Sequence, residues 1–405
     1  MAEVIDVLVV GGGPAGAAAA IRAGAAGLSV VVCDKAVFPR DKTCGDGLTA
    51  SALRLLERLG LEHQRVEGWA RVDEVVLRSP SGRMVELPLP GEGLFAAVAP
   101  RKTLDQALLE LAVRGGAELR SGTALEGIEA GPESVRAKLS GGQVLEARYV
   151  IAADGMYSAV RKLSTAEPEP ERTYLGDWHA FRQYFSGVTD RRLWVLFEED
   201  LLPGYAWVFP VGADRANVGF GIPRRPGHSV RSMAAVWRDL LRRPALRAIL
   251  GPAQPESPHR AWPIPAGLGR GPLTRGRLLF TGDAAAATDP MTGEGIGQAL
   301  TTGILAAEAV AADLAADAAG DPIGTGRRYT AAVDHHLGRD LRFAGLLGRV
   351  LASPAGARGA VRAAGLTPWT RRNFARWLFE DYPRALALTP GRWHQGAFTG
   401  PGAYR

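Results

Sequence analysis

Cysteine is nearly absent: 405 residues hold two, Cys33 and Cys44. That excludes a disulfide framework and a cysteine-built metal site, and makes a reducing compartment the default expectation. Lysine is also scarce, with five lysines against 43 arginines among 48 basic residues. No basic run is interleaved with aromatics, and no zinc-finger spacing or recognition-helix pattern occurs, so nucleic acid is not an expected partner. No stretch of 18 or more apolar residues is free of charge, so no transmembrane helix is expected. The first residues lack a basic segment followed by an apolar core, and no secretory leader is expected. The seven histidines include no i, i+4 pair around a glutamate. His335 and His336 are neighbours whose side chains should point apart on a helix, so no metal is expected. No Gly-x-Ser-x-Gly elbow occurs, which speaks against a serine hydrolase.

The rest of the composition is that of a globular protein. The chain is 46% hydrophobic and 22% charged, enough apolar material for a sizeable core and too much for a disordered chain. The 51 glycines imply many tight turns and close backbone approaches. The net charge of +6 has two readings, a coding bias towards arginine or a mild attraction to an anionic surface.

Val4–Val10 is a short β-branched run that fits a buried parallel strand. Gly11, Gly13 and Gly16 follow in Gly-x-Gly-x-x-Gly spacing, then an alanine-rich helical stretch, then a second strand ending in Asp34. In this context the glycines allow the tight turn, the approach of a pyrophosphate and close helix packing. The helix N-terminus offers free N–H groups to phosphate, and Asp34 stands where a carboxylate holds ribose hydroxyls. The pattern predicts a dinucleotide site.

Three further segments bear on which dinucleotide. Asp154-Gly155-Met156-Tyr157-Ser158 follows an apolar run and leads through Ser158-x-x-Arg161 into a helix. Gly282-Asp283 ends another strand and continues through Pro290-Met291-Thr292-Gly293-Glu294-Gly295-Ile296, before a long helix over about 295–314. That helix start is glycine-rich and lacks a bulky cap, so it is expected to face an anion. Asp283 would accept a ribityl hydroxyl. Arg101 is expected just before a helix starting near Thr103, where it would meet a phosphate or the isoalloxazine; an ordinary surface arginine is the other reading.

This ordered set resembles the flavoprotein fold of the para-hydroxybenzoate hydroxylase type. Within it, Phe38-Pro39-Arg40-Asp41-Lys42-Thr43-Cys44-Gly45-Asp46-Gly47, Tyr205-Ala206-Trp207-Val208-Phe209-Pro210, the Asp289–Ile296 loop and the tail 371–383 are similar to the geranylgeranyl reductase family. The resemblance implies an α/β (α+β) fold. A Rossmann-like FAD-binding domain (1–65, 98–165, 272–330) would be interleaved with a mainly antiparallel β-sheet substrate domain (66–97, 166–271), ahead of a helical C-terminal region (331–405). It implies FAD held by Gly11, Gly13, Pro14, Ala15, Gly16, Asp34, Lys35, Cys44, Gly45, Arg101, Asp154, Asp283, Pro290, Gly293, Gly295 and Ile296. The implied reaction saturates isoprenoid C=C bonds by hydride from the reduced flavin plus protonation; bacterial members include menaquinone side-chain and polyprenyl-lipid reductases.

Cys44 and Asp46 are the candidate acids, though Cys44 also reads as a small buried apolar residue and Asp46 as a turn former. Tyr205, Trp207 and Phe209 alternate and share one strand face, as a wall for an apolar chain or as ordinary core. No second Gly-x-Gly-x-x-Gly occurs, which leaves NAD(P)H binding transiently or a ferredoxin as electron donor. The basic, apolar C-terminal helices read either as a surface touching the inner face of the cell membrane or as helices packed on a cytoplasmic protein. An FAD monooxygenase, a flavin halogenase and a prenyl-binding escort without chemistry are the competing functions.

Overall fold

The computed structural model describes residues 4–165, 176–224, 230–316, 320–379, 385 and 400–405. Strand β1 (Ile5–Val10) leads into helix α1 (Pro14–Ala25), which returns the chain to β2 (Val30–Asp34). Next come a hairpin of β3 (Glu74–Arg78) and β4 (Met84–Pro88), then α2 (Arg101–Arg114), β5 (Glu118–Ser121) and β6 (Val144–Ala152). The chain then builds β7 (Trp178–Ser186), β8 (Leu193–Leu196), β9 (Tyr205–Val211) and β10 (Arg215–Pro223). It goes back for β11 (Leu278–Phe280) and the long helix α3 (Ile296–Ala316), and later forms α4 (Arg339–Leu351), α5 (Pro354–Ala364) and α6 (Pro368–Leu378).

Strands β11, β6, β1, β2 and β5 lie side by side in that order, every pair parallel. The central strands β11, β1, β2 and the second half of β6 are mainly apolar because helices and a meander of strands 125–130 and 135–139 cover the sheet, whereas the edge strand β5 is polar and partly exposed. Sequence reading did not expect that meander. In α1, Ala17–Ala20 are fully buried, and small side chains let α3 pack closely across it: a Cβ on Gly303 of α3 would meet Ala15 O at 2.1 Å. Helix α3 is long and apolar enough to cross a membrane by length and composition, contrary to the expectation that no segment would be. More than half of that window is buried inside the fold, where α3 serves as a core helix.

The second sheet runs β7, β10, β9, β8, β3, β4; all neighbours are antiparallel except β8 with β3. One face carries Phe181, Trp194, Val208 and Phe220 under the helices 230–240 and 244–250, with Trp237 at its centre. The other face carries Leu77, Leu193, Val195, Trp207 and Phe209, and α4–α6 stand over it. The two-residue period of β9 therefore sends Ala206 and Val208 to one core and its aromatics to the other side.

Two local expectations change. Arg101 is the first residue of α2 rather than its prelude, since Pro100 takes the N-cap position. His335 and His336 lie in a π-helical turn over Asp334–Gly338, and their rings meet edge-on with centroids 5.2 Å apart rather than pointing away. Glu380–Pro383 of the tail motif lie outside the described residues, as do parts of the expected substrate domain (166–175, 225–229) and of the C-terminal region.

Candidate active site

The loop Gly11–Gly13 joins β1 to α1 at the C-terminal edge of the parallel sheet, where ligands of such sheets bind. A Cβ on Gly16 would lie 1.8 Å from Gly11 O, so helix and loop touch backbone to backbone. Gly13 differs. The nearest atoms to a Cβ there are guanidinium nitrogens, Arg40 at 3.6 Å and Arg101 at 3.7 Å. Helix α1 has no side-chain cap and no acid in its first turn. Free N–H groups and two arginines thus converge on one space, as an anion such as a pyrophosphate needs. Asp34 holds the loop: Oδ2 accepts from Gly12 N and Oδ1 from Ala36 N, both at 2.8 Å.

Arg101 is buried and forms a two-pronged ion pair with Asp105, at 2.7 Å on each arm. Arg40 approaches the same carboxylate at 3.1 Å. One aspartate therefore positions two cations at the loop. Asp154 is fixed through Oδ2 by Val160 N at 3.1 Å, while its buried Oδ1 has no hydrogen-bond partner among the described residues. Burial pushes its pKa upward. An orphaned buried acceptor at the cavity wall suits a ligand that donates.

The segment 38–47 crosses from the first sheet to the second, and Asp46 is its pivot. It adopts a left-handed backbone, φ 65°, uncommon outside glycine, and is fully buried. Its Oδ2 accepts from Tyr184 Oη at 2.5 Å and Asn217 Nδ2 at 2.7 Å, and its Oδ1 from Arg101 N at 3.3 Å. Burial raises its pKa to about 6, partly opposed by those donors and by Arg182 and Arg101. Asn217 Nδ2 also donates to Cys44 O at 2.7 Å, and Asn217 Oδ1 accepts from Trp207 Nε1 at 3.0 Å. Cys44 is half-buried and lines the cavity. Burial first, and then the Asp46 charge, raise its thiol pKa, so it stays protonated at neutral pH. Lys42 sits over the Trp262 ring at 3.9 Å, and burial lowers its pKa to about 8.

Arg40, Lys42, Cys44, Asp46, Arg101 and Asp154 line one cavity of about 680 Å³. It runs from the Gly-rich loop past Cys44 and Asp46 to the aromatics of β9. Tyr205, Trp207 and Phe209 form a ladder with ring centroids 6.0 and 5.9 Å apart, and Phe197 extends it, 6.2 Å from Tyr205. Tyr205 Oη donates to Thr292 O, tying the ladder to the 289–296 loop. Leu347, Val350, Leu351, Phe374 and Trp377 from α4 and α6 close the apolar end.

Of the residues expected to hold the cofactor, Gly11, Gly13, Pro14, Ala15, Asp34, Lys35, Cys44, Gly45, Arg101, Asp154, Asp283, Gly293, Gly295 and Ile296 line this cavity. Gly16 lies behind the loop it packs on, and Pro290 stands off towards Gly345 of α4. Asp283 accepts from Thr288 Oγ1 at 3.3 Å. The sequence expectation of an uncapped α3 start is overturned: Glu294 Oε1 accepts from Gly297 N at 2.9 Å and caps it. Sequence reading missed Tyr184 and Arg182. Both lie on β7, and no local pattern marks them, because their partners Asp46 and Asp41 come from a loop more than 130 residues earlier in the chain that meets β7 only in the folded protein.

Residues 4–325 match the family model of the FAD binding domain. The chain is 34% identical to a menaquinone reductase of Mycolicibacterium smegmatis over 321 residues, 75% of each chain. It is 32% identical to a digeranylgeranylglycerophospholipid reductase of Methanopyrus kandleri, covering 75% of this chain and 79% of the relative. Its fold matches the crystal structure of a geranylgeranyl bacteriochlorophyll reductase-like protein from Thermoplasma acidophilum, with a TM-score of 0.79 and 23% identity over 96% of this chain and all of that one.

Proposed function

The chain belongs to the FAD binding domain family and, within it, to the geranylgeranyl reductases, and from that premise we propose that it is an FAD-dependent reductase that saturates C=C bonds in the isoprenoid chain of a prenyl lipid, a menaquinone side chain or a related polyprenyl group. The observation that carries the reading is the single cavity joining a phosphate-type cradle to an aromatic and aliphatic slot, with Cys44 and Asp46 at the junction.

The residues present fit FAD. Gly13, Arg40 and Arg101 would hold the pyrophosphate, Asp34 the ribose, and Asp283 and the Gly293–Ile296 loop the ring end. Bound and reduced, the cofactor supplies hydride to carbon. The protein must supply the rest. An isolated alkene accepts hydride poorly unless a proton is delivered to its other carbon. Two acids at the cavity are the candidate donors: Cys44, whose thiol burial keeps protonated at neutral pH, and Asp46, which burial lifts to about 6 so that it holds its proton only on the mildly acidic side. Tyr184 and Asn217 position the Asp46 carboxyl. The ladder Tyr205–Trp207–Phe209 lays an apolar chain along the sheet, and the apolar walls keep water from the junction.

Mass spectrometry of prenyl lipids from a host with and without the gene tests this. A gain of paired hydrogens on the isoprenoid chain is expected. A gain of oxygen, or no change in any prenyl lipid, would sink the reading.

A further inference from the structure

We propose that helices α4–α6 form a docking face for an anionic lipid bilayer, and that the cavity opens onto this face beside Val350. The inference rests on the reductase reading and deepens it by naming the surface from which a lipid substrate enters.

The first observation is charge. Residues 341–379 contain seven arginines and no aspartate or glutamate. Six of the arginines are exposed: Arg342, Arg349, Arg358, Arg362, Arg371 and Arg372. Arg342 pairs with Asp334 of the preceding turn at 2.9 Å. The seventh, Arg376, is buried and donates to Gly400 O at 2.7 Å. Asp340, in the first turn of α4, is the one acid on these three helices, and its Oδ1 accepts from Ala385 N at 3.0 Å; the arginine excess beyond it complements the negative charge of a bilayer rich in acidic lipid.

The second is apolar exposure on the same helices. Leu346 is 55% exposed, Val350 54%, Leu366 63% and Trp369 62%. Leu346 and Val350 are one turn apart on α4. Leu366 and Trp369 flank the joint between α5 and α6. Single exposed apolar residues are ordinary. Here four of the twelve large ones exposed among the described residues fall within a short arginine-rich stretch, the pattern of a helix lying in a membrane interface. These helices do not span: α4, the longest of them, has 13 residues.

The third joins the face to the site. Val350 is at once exposed and a wall of the cavity, with Leu347 and Leu351 beside it. One edge of α4 thus faces outward while its neighbours face the slot. A prenyl chain leaving the bilayer here meets apolar side chains from the surface to the ladder.

Flotation of the full FAD-loaded chain tests the proposal, with vesicles of phosphatidylcholine alone or mixed with phosphatidylglycerol. The protein is expected to float with the mixed vesicles, not with phosphatidylcholine alone, and to be released as salt rises from about 0.1 to 0.5 M. The double variant L346D/W369D should lose about tenfold in binding. Its bound-flavin spectrum and its reduction of a short prenyl alcohol in detergent should stay parental. The proposal is overturned if the parent stays unbound to mixed vesicles, if the variant floats as well as the parent, or if the face instead mediates self-association. Failure of the reductase reading is separate: no hydrogen would be added to any prenyl substrate in detergent, whatever the vesicles show.

Discussion

The hydroxyl of Tyr184 donates to Oδ2 of Asp46 at 2.5 Å across 138 residues of sequence. A hydrogen bond to a carboxylate favours the charged form, so this contact holds the Asp46 pKa lower than burial alone would. Tyr184→Phe should therefore move the alkaline limb of the activity profile upward. In the parent, activity should fall as pH rises through about 6, because the acid loses its proton. Asp46→Asn should lower the rate by about a hundredfold and abolish the limb. An unchanged limb in both variants would remove Asp46 from the chemistry.

The same group links pH to stability. The Asp46 pKa is raised from 3.8 to about 6 on folding. Its contribution is then fully present below about pH 4 and is lost as pH rises through about 6. Asp46→Asn should escape that loss, so its stability relative to the parent should improve by about 2 kcal/mol between pH 4 and pH 7. Denaturant titrations at the two pH values measure the difference.

Cys44 should alkylate slowly with iodoacetamide at pH 7, since burial and the Asp46 charge keep the thiol protonated. Removing that charge in Asp46→Asn should speed alkylation. Rapid modification of the parent would show a thiolate and contradict the proposed role as proton donor.

Gly13 and Gly16 should fail in different ways. A methyl at Gly13 meets only arginine tips, at 3.6 and 3.7 Å, and fills the anion space. Gly13→Ala should fold with a near-parental melting temperature and lose FAD. A methyl at Gly16 strikes Gly11 O at 1.8 Å. Gly16→Ala should lose about 3 kcal/mol even without cofactor. Equal melting temperatures for the two would refute the distinction.

Trp207 serves both ladder and network, packing at a tilt between Tyr205 and Phe209 while its Nε1 donates to Asn217. Trp207→Leu should keep its flavin and cost about 2–3 kcal/mol. It should lower kcat/KM for a prenyl substrate at least tenfold. A parental kcat/KM would make the ladder ordinary core.

The nucleotide half was legible because each of its devices is local. Gly11–Gly16 between a strand and a helix, and Asp34 at the end of the next strand, need only a few residues to state their geometry. The alternation of Tyr205, Trp207 and Phe209 likewise fixes a shared strand face before any neighbour is known. The cap on α3 was misread because Gly293 and Gly295 draw the eye, whereas the Glu294 side chain folds back onto Gly297 N.

What the sequence determined alone, then, is the set of short-range patterns: the phosphate-type loop, the strand faces, the basic and apolar C-terminal helices. Tertiary structure decided which of them share a site. Asp46 reads as a turn residue until β7 and β10 bring Tyr184 and Asn217 to it and close it off from water. Its raised pKa comes from that burial, and burial is a property of the assembled sheets rather than of any segment. The cavity has the same origin: its walls come from strands and helices far apart in the chain, and only their packing makes one apolar slot that ends at an acid.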